Sequence, residues 1–262
     1  MKNLTEIVFI LDRSGSMSGM EQDTIGGYNA FLQKQKEVEG DALVSTILFS
    51  NDSVVLHDRV PIGEVKPITE EDYFTCGCTA LLDAIGGAVH HISKVHKYIR
   101  AEDVPEKTIF VITTDGLENA SRKYSSEDVK SLISKMKEEK GWEFLFVAED
   151  INAVETAASM GISSDRAAYY EAKQDTGRMF CTMSACVADV RAERSIDPGW
   201  KRRLREKGVI EPDVVKPDAH EQERERRRKK LAADQVAAKK KAEAKKKAVA
   251  KKQNATDNKD NK

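Results

Sequence analysis

The chain has 262 residues, 40% apolar and 33% charged, which is enough apolar material for one large α/β domain or a domain with an appendage. Its net charge of −1 averages two unlike parts: residues 221–252 carry 14 Lys/Arg against 5 Asp/Glu, a net of +9, and residues 1–220 carry −10. Four cysteines in a chain this long exclude a disulfide framework. No apolar run approaches the ~20 residues of a membrane span.

Residues 1–6 lead straight into an apolar run and leave no room for a secretory signal. The expectation is a cytoplasmic protein with reduced thiols. That run, Ile7-Val8-Phe9-Ile10-Leu11, reads as a buried parallel strand covered on both faces. Asp12-Arg13-Ser14-Gly15-Ser16 follows it directly. A carboxylate and two hydroxyls at alternate positions are hard-oxygen chemistry that suits Mg²⁺, Ca²⁺ or Mn²⁺. On its own the same stretch also reads as a polar turn whose serines cap the next helix.

A helix is predicted over Met20–Glu39, with Ile25, Tyr28 and Leu32 at helical spacing and Gly40 as the stop. Leu43–Phe49 reads as a strand. The Asn51-Asp52 turn and Val54–Leu56 then predict a short antiparallel strand, with His57, Asp58 and Arg59 marking a sheet edge. Residues 61–78 read as loop. The strongest helix starts at Thr79, where Leu81, Ile85, Ala88, Ile92, Val95 and Ile99 form an apolar stripe. Thr108–Ile112 reads as a second buried strand, ending in Thr113-Thr114-Asp115-Gly116. Ser125 and Asp128 have capping-box spacing ahead of a helix from about Ser126.

Phe144–Ala148 predicts another strand, Ala153–Met160 a short helix closed by Gly161, and Ala167–Tyr170 a last strand. Met179, Met183, Cys186 and Val190 mark a final helix. The alternation predicts an α/β, Rossmann-like, doubly wound and mainly parallel sheet of about six strands, with one antiparallel edge strand and helices on both faces. Ligands of such sheets sit outside the carboxyl ends of the strands, at the topological switch point. If the two long apolar strands are neighbours there, Asp12, Ser14, Ser16, Thr79 and Asp115 converge on one crevice.

Those five positions carry a resemblance. Asp-x-Ser-x-Ser at 12–16, Thr79 within Cys-Thr-Ala-Leu-Leu-Asp-Ala-Ile, and Asp115 within Thr-Thr-Asp-Gly resemble the metal-ion-dependent adhesion site of the von Willebrand factor type A domain, over roughly residues 4–195. The resemblance is to the intracellular, prokaryotic type. It implies that Ser14, Ser16 and Thr79 coordinate Mg²⁺, with Mn²⁺ or Ca²⁺ as alternatives, while Asp12 and Asp115 hold coordinated waters. Neutral hydroxyls would leave much of the ion's charge uncompensated, so an Asp or Glu of a partner protein would complete the site. The implied function is metal-dependent protein binding without catalysis, and the implied partners include AAA+ ATPases and stress- or phage-related complexes. Cys78 stands where members often carry glycine before the threonine.

Other readings have less support. A haloacid-dehalogenase-type phosphatase would need a second acid where Ser14 stands, and Met17 occupies the serine position of a nucleophile elbow. There is no P-loop and no Gly-x-Gly-x-x-Gly. Cys76 and Cys78 could form a soft-metal or redox pair, but no second cysteine pair has zinc-site spacing. His90, His91 and His96 read as surface residues flanking the helix stripe, and Cys181 and Cys186 as part of a core face. The expected domains are residues 1–196 as the folded body, 197–220 as linker, and 221–262 as a Lys/Arg/Ala-rich tail, helical or disordered. That tail, without interleaved aromatics, could attract nucleic acid through charge alone.

Overall fold

The computed structural model of the chain describes residues 3–149, 152–170 and 172–205. The chain divides into a unit spanning 1–209 and a second spanning 210–262, and the expectations for the tail lie outside the described residues.

Six strands form one sheet: β1 (Thr5–Asp12), β2 (Ala42–Phe49), β3 (Ser53–Pro61), β4 (Lys107–Thr114), β5 (Glu143–Ala148) and β6 (Ala167–Tyr169), in the order β3-β2-β1-β4-β5-β6. All neighbours pair in parallel except β2 and β3, which a three-residue turn forces to be antiparallel. The architecture is the one expected, and it agrees with the fold type that the resemblance implies.

Why residues 7–11 of the first strand are all apolar is visible in their packing. Ile7, Phe9 and Leu11 of β1 enter one core and Val8 and Ile10 the other. The first core is closed by α1 (Glu21–Glu37), α5 (Ala172–Arg191) and α6 (Trp200–Arg205), the second by α2 (Leu81–Tyr98), α3 (Ser126–Lys140) and α4 (Ala153–Ser159). Phe9 meets Tyr28 and Phe31 edge-on at 5.1 and 4.6 Å, so a single strand residue pins α1 to the sheet. On the other face Phe110 stacks on Phe144 at 4.8 Å and on Trp142 at 5.3 Å. The Ser125–Asp128 capping box forms as expected, and Gly141 ends α3 in the left-handed conformation.

Three features differ from the sequence reading. β3 is longer than Val54–Leu56, because register shifts opposite Val44–Ile47 carry the pairing past His57–Arg59 to Pro61. Arg59 takes a φ of 54° there and places its Nε 2.9 Å from Glu6, a fully buried carboxylate on β1. His96 is not a surface residue: its ring meets the same Glu6 carboxylate and packs edge-on against Trp142. Finally, Ile196, Trp200 and Leu204 belong to the first core, so packing continues into residues 197–220 read as linker. The charged run around Trp200 and Leu204 hides two apolar residues one helical turn apart.

Candidate metal centre

β1 and β4 are adjacent and begin crossovers to opposite sides, so the crevice beyond their C-terminal ends is the switch point of the sheet. Asp12 ends β1 and is fully buried. Its Oδ1 accepts the Ser14 backbone N–H at 2.7 Å, and its Oδ2 accepts the Thr114 hydroxyl at 2.5 Å. Both carboxylate oxygens are therefore fixed, one by its own loop and one by β4. The hydroxyls of Ser14 and Ser16 lie 3.0 Å apart, and Ser16 Oγ donates to Asp115 Oδ1 at 2.7 Å. Two loops far apart in sequence thus meet through side chains.

Thr79 approaches from the third loop. A Cβ on Gly116 would come within 2.7 Å of Thr79 Oγ1, closer than a real Cβ tolerates, and within a tight 3.1 Å of Ser16 Oγ. Gly116 therefore forms the wall of a cradle whose other sides are the Thr79 and Ser16 hydroxyls, and any other residue would fill it. Asp12, Ser14 and Thr79 are buried, Asp115 is partly buried, and Ser16 is exposed, so the cluster is closed below and open to solvent above. All five sequence-predicted residues are brought together.

The loops are tied by backbone bonds. Gly15 N–H donates to Gly77 O at 3.0 Å, and Cys76 N–H to Arg13 O at 2.8 Å. Asn51 Oδ1 accepts the Cys78 N–H at 2.5 Å, so the residue that departs from the resemblance is held by its amide while its side chain is exposed. Cys76 and Cys78 are free thiols, and no group of three or more His, Cys, Asp or Glu among the described residues could hold a metal.

Several residues outside those five shape the site, among them Glu118 and Asn119, whose place just past Asp115 reads from the sequence either as a rim of the site or as the start of the next segment. Asn119 Oδ1 accepts the Thr79 N–H at 2.9 Å and returns its own N–H to Thr79 O at 3.0 Å, orienting the threonine. Glu118 accepts the N–H groups of Leu82, Ala120 and Ser121, and Asp83 those of Arg122, Lys123 and Tyr124. These two carboxylates clamp the loop after β4 onto the first turn of α2, where the helix dipole also favours them. Tyr73 donates its hydroxyl to Asp12 O at 2.6 Å. Thr114, Glu118 and Asn119 stand close to Asp115 in the sequence, whereas the bonds of Glu118 to Leu82 and of Asn119 to Thr79, and that of Tyr73 to Asp12, cross long sequence gaps.

Burial pushes the Asp12 carboxyl above its usual range, against the opposing hydrogen bonds from Thr114 and Ser14. Burial also pushes Asp115 up, to about 6; the Ser16 hydroxyl opposes this, and the negative charges of Asp12 and Glu149 add to it. Two carboxylates held close together with hydroxyls between them are short of positive charge. A divalent cation would supply it, and the donor set is all hard oxygen. The residues present therefore fit such an ion on both shape and chemistry.

No protein-family model matches the sequence, and no curated protein is similar to it in sequence. Solved structures with a related chain trace exist. Proximal thread matrix protein 1 from the mussel byssus is 14% identical, with a TM-score of 0.48 over 71% of this chain and 46% of that one. The manganese-loaded Plasmodium vivax TRAP protein is 16% identical, with a TM-score of 0.44 over 61% and 63%. The ArnB paralog VWA2 from Sulfolobus acidocaldarius is 19% identical, with a TM-score of 0.42 over 71% and 45%. The chain spans under two thirds of each of these structures.

Proposed function

We propose that this chain is a binding protein of the von Willebrand factor A type that recognises an acidic residue of a partner protein through a divalent cation, Mg²⁺ in the first instance and Mn²⁺ or Ca²⁺ as alternatives. The observation that carries this reading is the cradle walled by Gly116, into which the hydroxyls of Ser16 and Thr79 project beside Asp115 and Asp12. Ser14, Ser16 and Thr79 would hold the ion through their hydroxyls, and Asp12 and Asp115 through water. The ion would supply positive charge at an open position, where a carboxylate from outside is the natural complement. Asp12 keeps Ser14 in place through its backbone amide, Thr114 keeps Asp12 in place, and Asn119 orients Thr79.

A protein partner suits the surroundings of the mouth. Phe74 and Leu117 are 51% and 62% exposed on the loops that flank it, and the Arg13 guanidinium lies 5.0 Å over the Phe74 ring. Large apolar side chains left in solvent beside a polar site favour a macromolecular surface. Turnover is disfavoured by the same geometry: both oxygens of Asp12 already accept hydrogen bonds and the group is fully buried, a poor arrangement for a nucleophile of phosphoester hydrolysis. AAA+ ATPases and stress- or phage-related assemblies are the partner settings that the resemblance offers.

Titration calorimetry with Mg²⁺ tests the reading. The wild type should bind the ion, and Asp12→Ala and Thr79→Ala should lose it while keeping their circular dichroism. Equal Mg²⁺ binding by all three would refute the assignment. A second reading rests on the +9 charge of residues 221–252, which would retain nucleic acid without sequence preference. Deleting residues 210–262 should abolish such retention; retention unchanged by the deletion would exclude that reading.

A further inference from the structure

The loop that delivers Thr79 carries two thiols that the cation site does not use. Cys76 and Cys78 are exposed on either side of Gly77, whereas Cys186 is buried and Cys181 is half-buried with Lys34 Nζ 3.2 Å from its sulfur. Reagents in solvent therefore reach the first pair before the other two.

The backbone brings that pair within bonding reach. A disulfide needs Cα atoms about 4.4–6.8 Å apart. Residues two positions apart are separated by at most about 7 Å when fully extended, and here the chain bends at Gly77. Gly77 takes a φ of 74°, in the left-handed region that favours glycine, and a Cβ there would stand 2.8 Å from Asn51 Oδ1. Both cysteines also contact the connection between β2 and β3: Cys76 Sγ lies 3.7 Å from Ser50 Oγ, and Cys78 donates its N–H to Asn51 Oδ1.

The peptide between the thiols ties the loops of the candidate metal centre together. Gly77 O and the Cys78 N–H belong to one peptide unit; the first accepts the Gly15 N–H at 3.0 Å and the second reaches Asn51 Oδ1 at 2.5 Å. Gly15 stands between Ser14 and Ser16, and Cys78 directly precedes Thr79. A bond between the two sulfurs would close a small ring that includes this unit. Planar trans peptides leave such a ring only the rotations about its Cα atoms, so closure turns the unit away from the partners it now holds. The hydroxyls of Ser16 and Thr79 then lose the spacing that their loops impose.

We propose that Cys76 and Cys78 are a reversible redox site: a low-molecular-weight disulfide of the glutathione type oxidises them to an intraloop disulfide, and this oxidation weakens cation binding. One protein thiolate attacks the small disulfide, forming a mixed disulfide and releasing one small thiol; the neighbouring thiolate attacks that bond and releases the second. Two electrons pass from the protein to the small disulfide, and the two protein protons end on the released thiols. The disulfide is independent of the metal-centre reading, whereas its effect on the cation rests on that reading. Linkage is reciprocal, so Mg²⁺ in turn favours the dithiol. An exposed disulfide in a strained small ring belongs to the labile, regulatory kind.

To test this, the full chain is equilibrated in glutathione buffers of graded oxidised fraction, quenched with N-ethylmaleimide and digested for mass spectrometry. The peptide carrying both cysteines should lose two hydrogens without an adduct, while Cys76→Ser and Cys78→Ser should each end with one glutathione attached. Free thiols at both positions in the most oxidised buffer, a stable glutathione adduct on the wild type, or prior oxidation of Cys181 overturns the proposal. Calorimetry then compares the two forms. Mg²⁺ affinity should fall at least about tenfold on oxidation, recover with dithiothreitol, and ignore the oxidant when Cys76→Ser and Cys78→Ser are combined. Equal affinity of the two forms, or the same loss in the double variant, overturns the coupling. Absence of Mg²⁺ heat from the reduced chain refutes the metal-centre reading instead, and the trapping still decides the disulfide.

Discussion

At the scale of single residues, the candidate centre depends on one missing methyl group and two carboxylates. Gly116→Ala places a Cβ within 2.7 Å of Thr79 Oγ1 and 3.1 Å of Ser16 Oγ. It should lower Mg²⁺ affinity by at least about tenfold, or 1.4 kcal/mol, with an unchanged circular dichroism spectrum; calorimetry checks it. The pH dependence has a defined sign. The carboxyls of Asp12 and Asp115 are raised in the folded state, the latter to about 6, mainly by burial, so the folded protein holds protons that the unfolded chain has lost. Without metal, the stability that this protonation lends is complete below the ordinary carboxylate range, about 3.9, and falls as pH rises towards 6. A cation binds the ionised pair and competes with those protons. The rise in melting temperature on adding Mg²⁺ should therefore grow between pH 5 and pH 7, as scanning fluorimetry at several pH values will show.

At the scale of elements, α2 offers a paired test on adjacent residues. Gly87→Ala should stabilise by about 0.5–1 kcal/mol, since the helix gains and nothing is touched. Gly86→Ala should destabilise, because its Cβ meets the Tyr124 ring at 2.5 Å. Urea midpoints with unchanged slopes will separate the two. The capping box of α3 is a second such point: Ser125→Ala removes the hydroxyl that accepts the Asp128 amide and donates to its carboxylate, at a cost of about 1 kcal/mol. Element positions followed from apolar pattern alone, because a strand buried on both faces needs an unbroken run and α2 needs a stripe. The length of β3 did not, since its extension past His57 depends on a register shift against β2.

At the scale of the whole molecule, the apolar body extends beyond its composition boundary. Trp200 and Leu204 are buried against the core that holds α1 and α5, although they sit among Lys201, Arg202 and Arg203. Truncation after residue 196 should therefore destabilise by about 3–5 kcal/mol, the cost of losing a buried tryptophan side chain. Truncation after residue 209 keeps these residues and should leave the urea midpoint nearly unchanged. The net charge changes sign between residues 1–220 and 221–252, so salt should weaken any retention of polyanions through the tail and leave Mg²⁺-dependent binding less affected.

The sequence by itself determined the sheet, its single antiparallel edge, and the five residues Asp12, Ser14, Ser16, Thr79 and Asp115. Periodicity and short motifs are local, and each of those features is written within a few consecutive residues. Tertiary structure decided the rest: the Gly116 cradle, the Asn119 and Glu118 clamps on α2, and the seat of His96 beside Glu6. Each of these is a contact between residues far apart in sequence. A polar side chain bonding across such a gap leaves no period in the chain, so only the folded backbone shows which partner it meets.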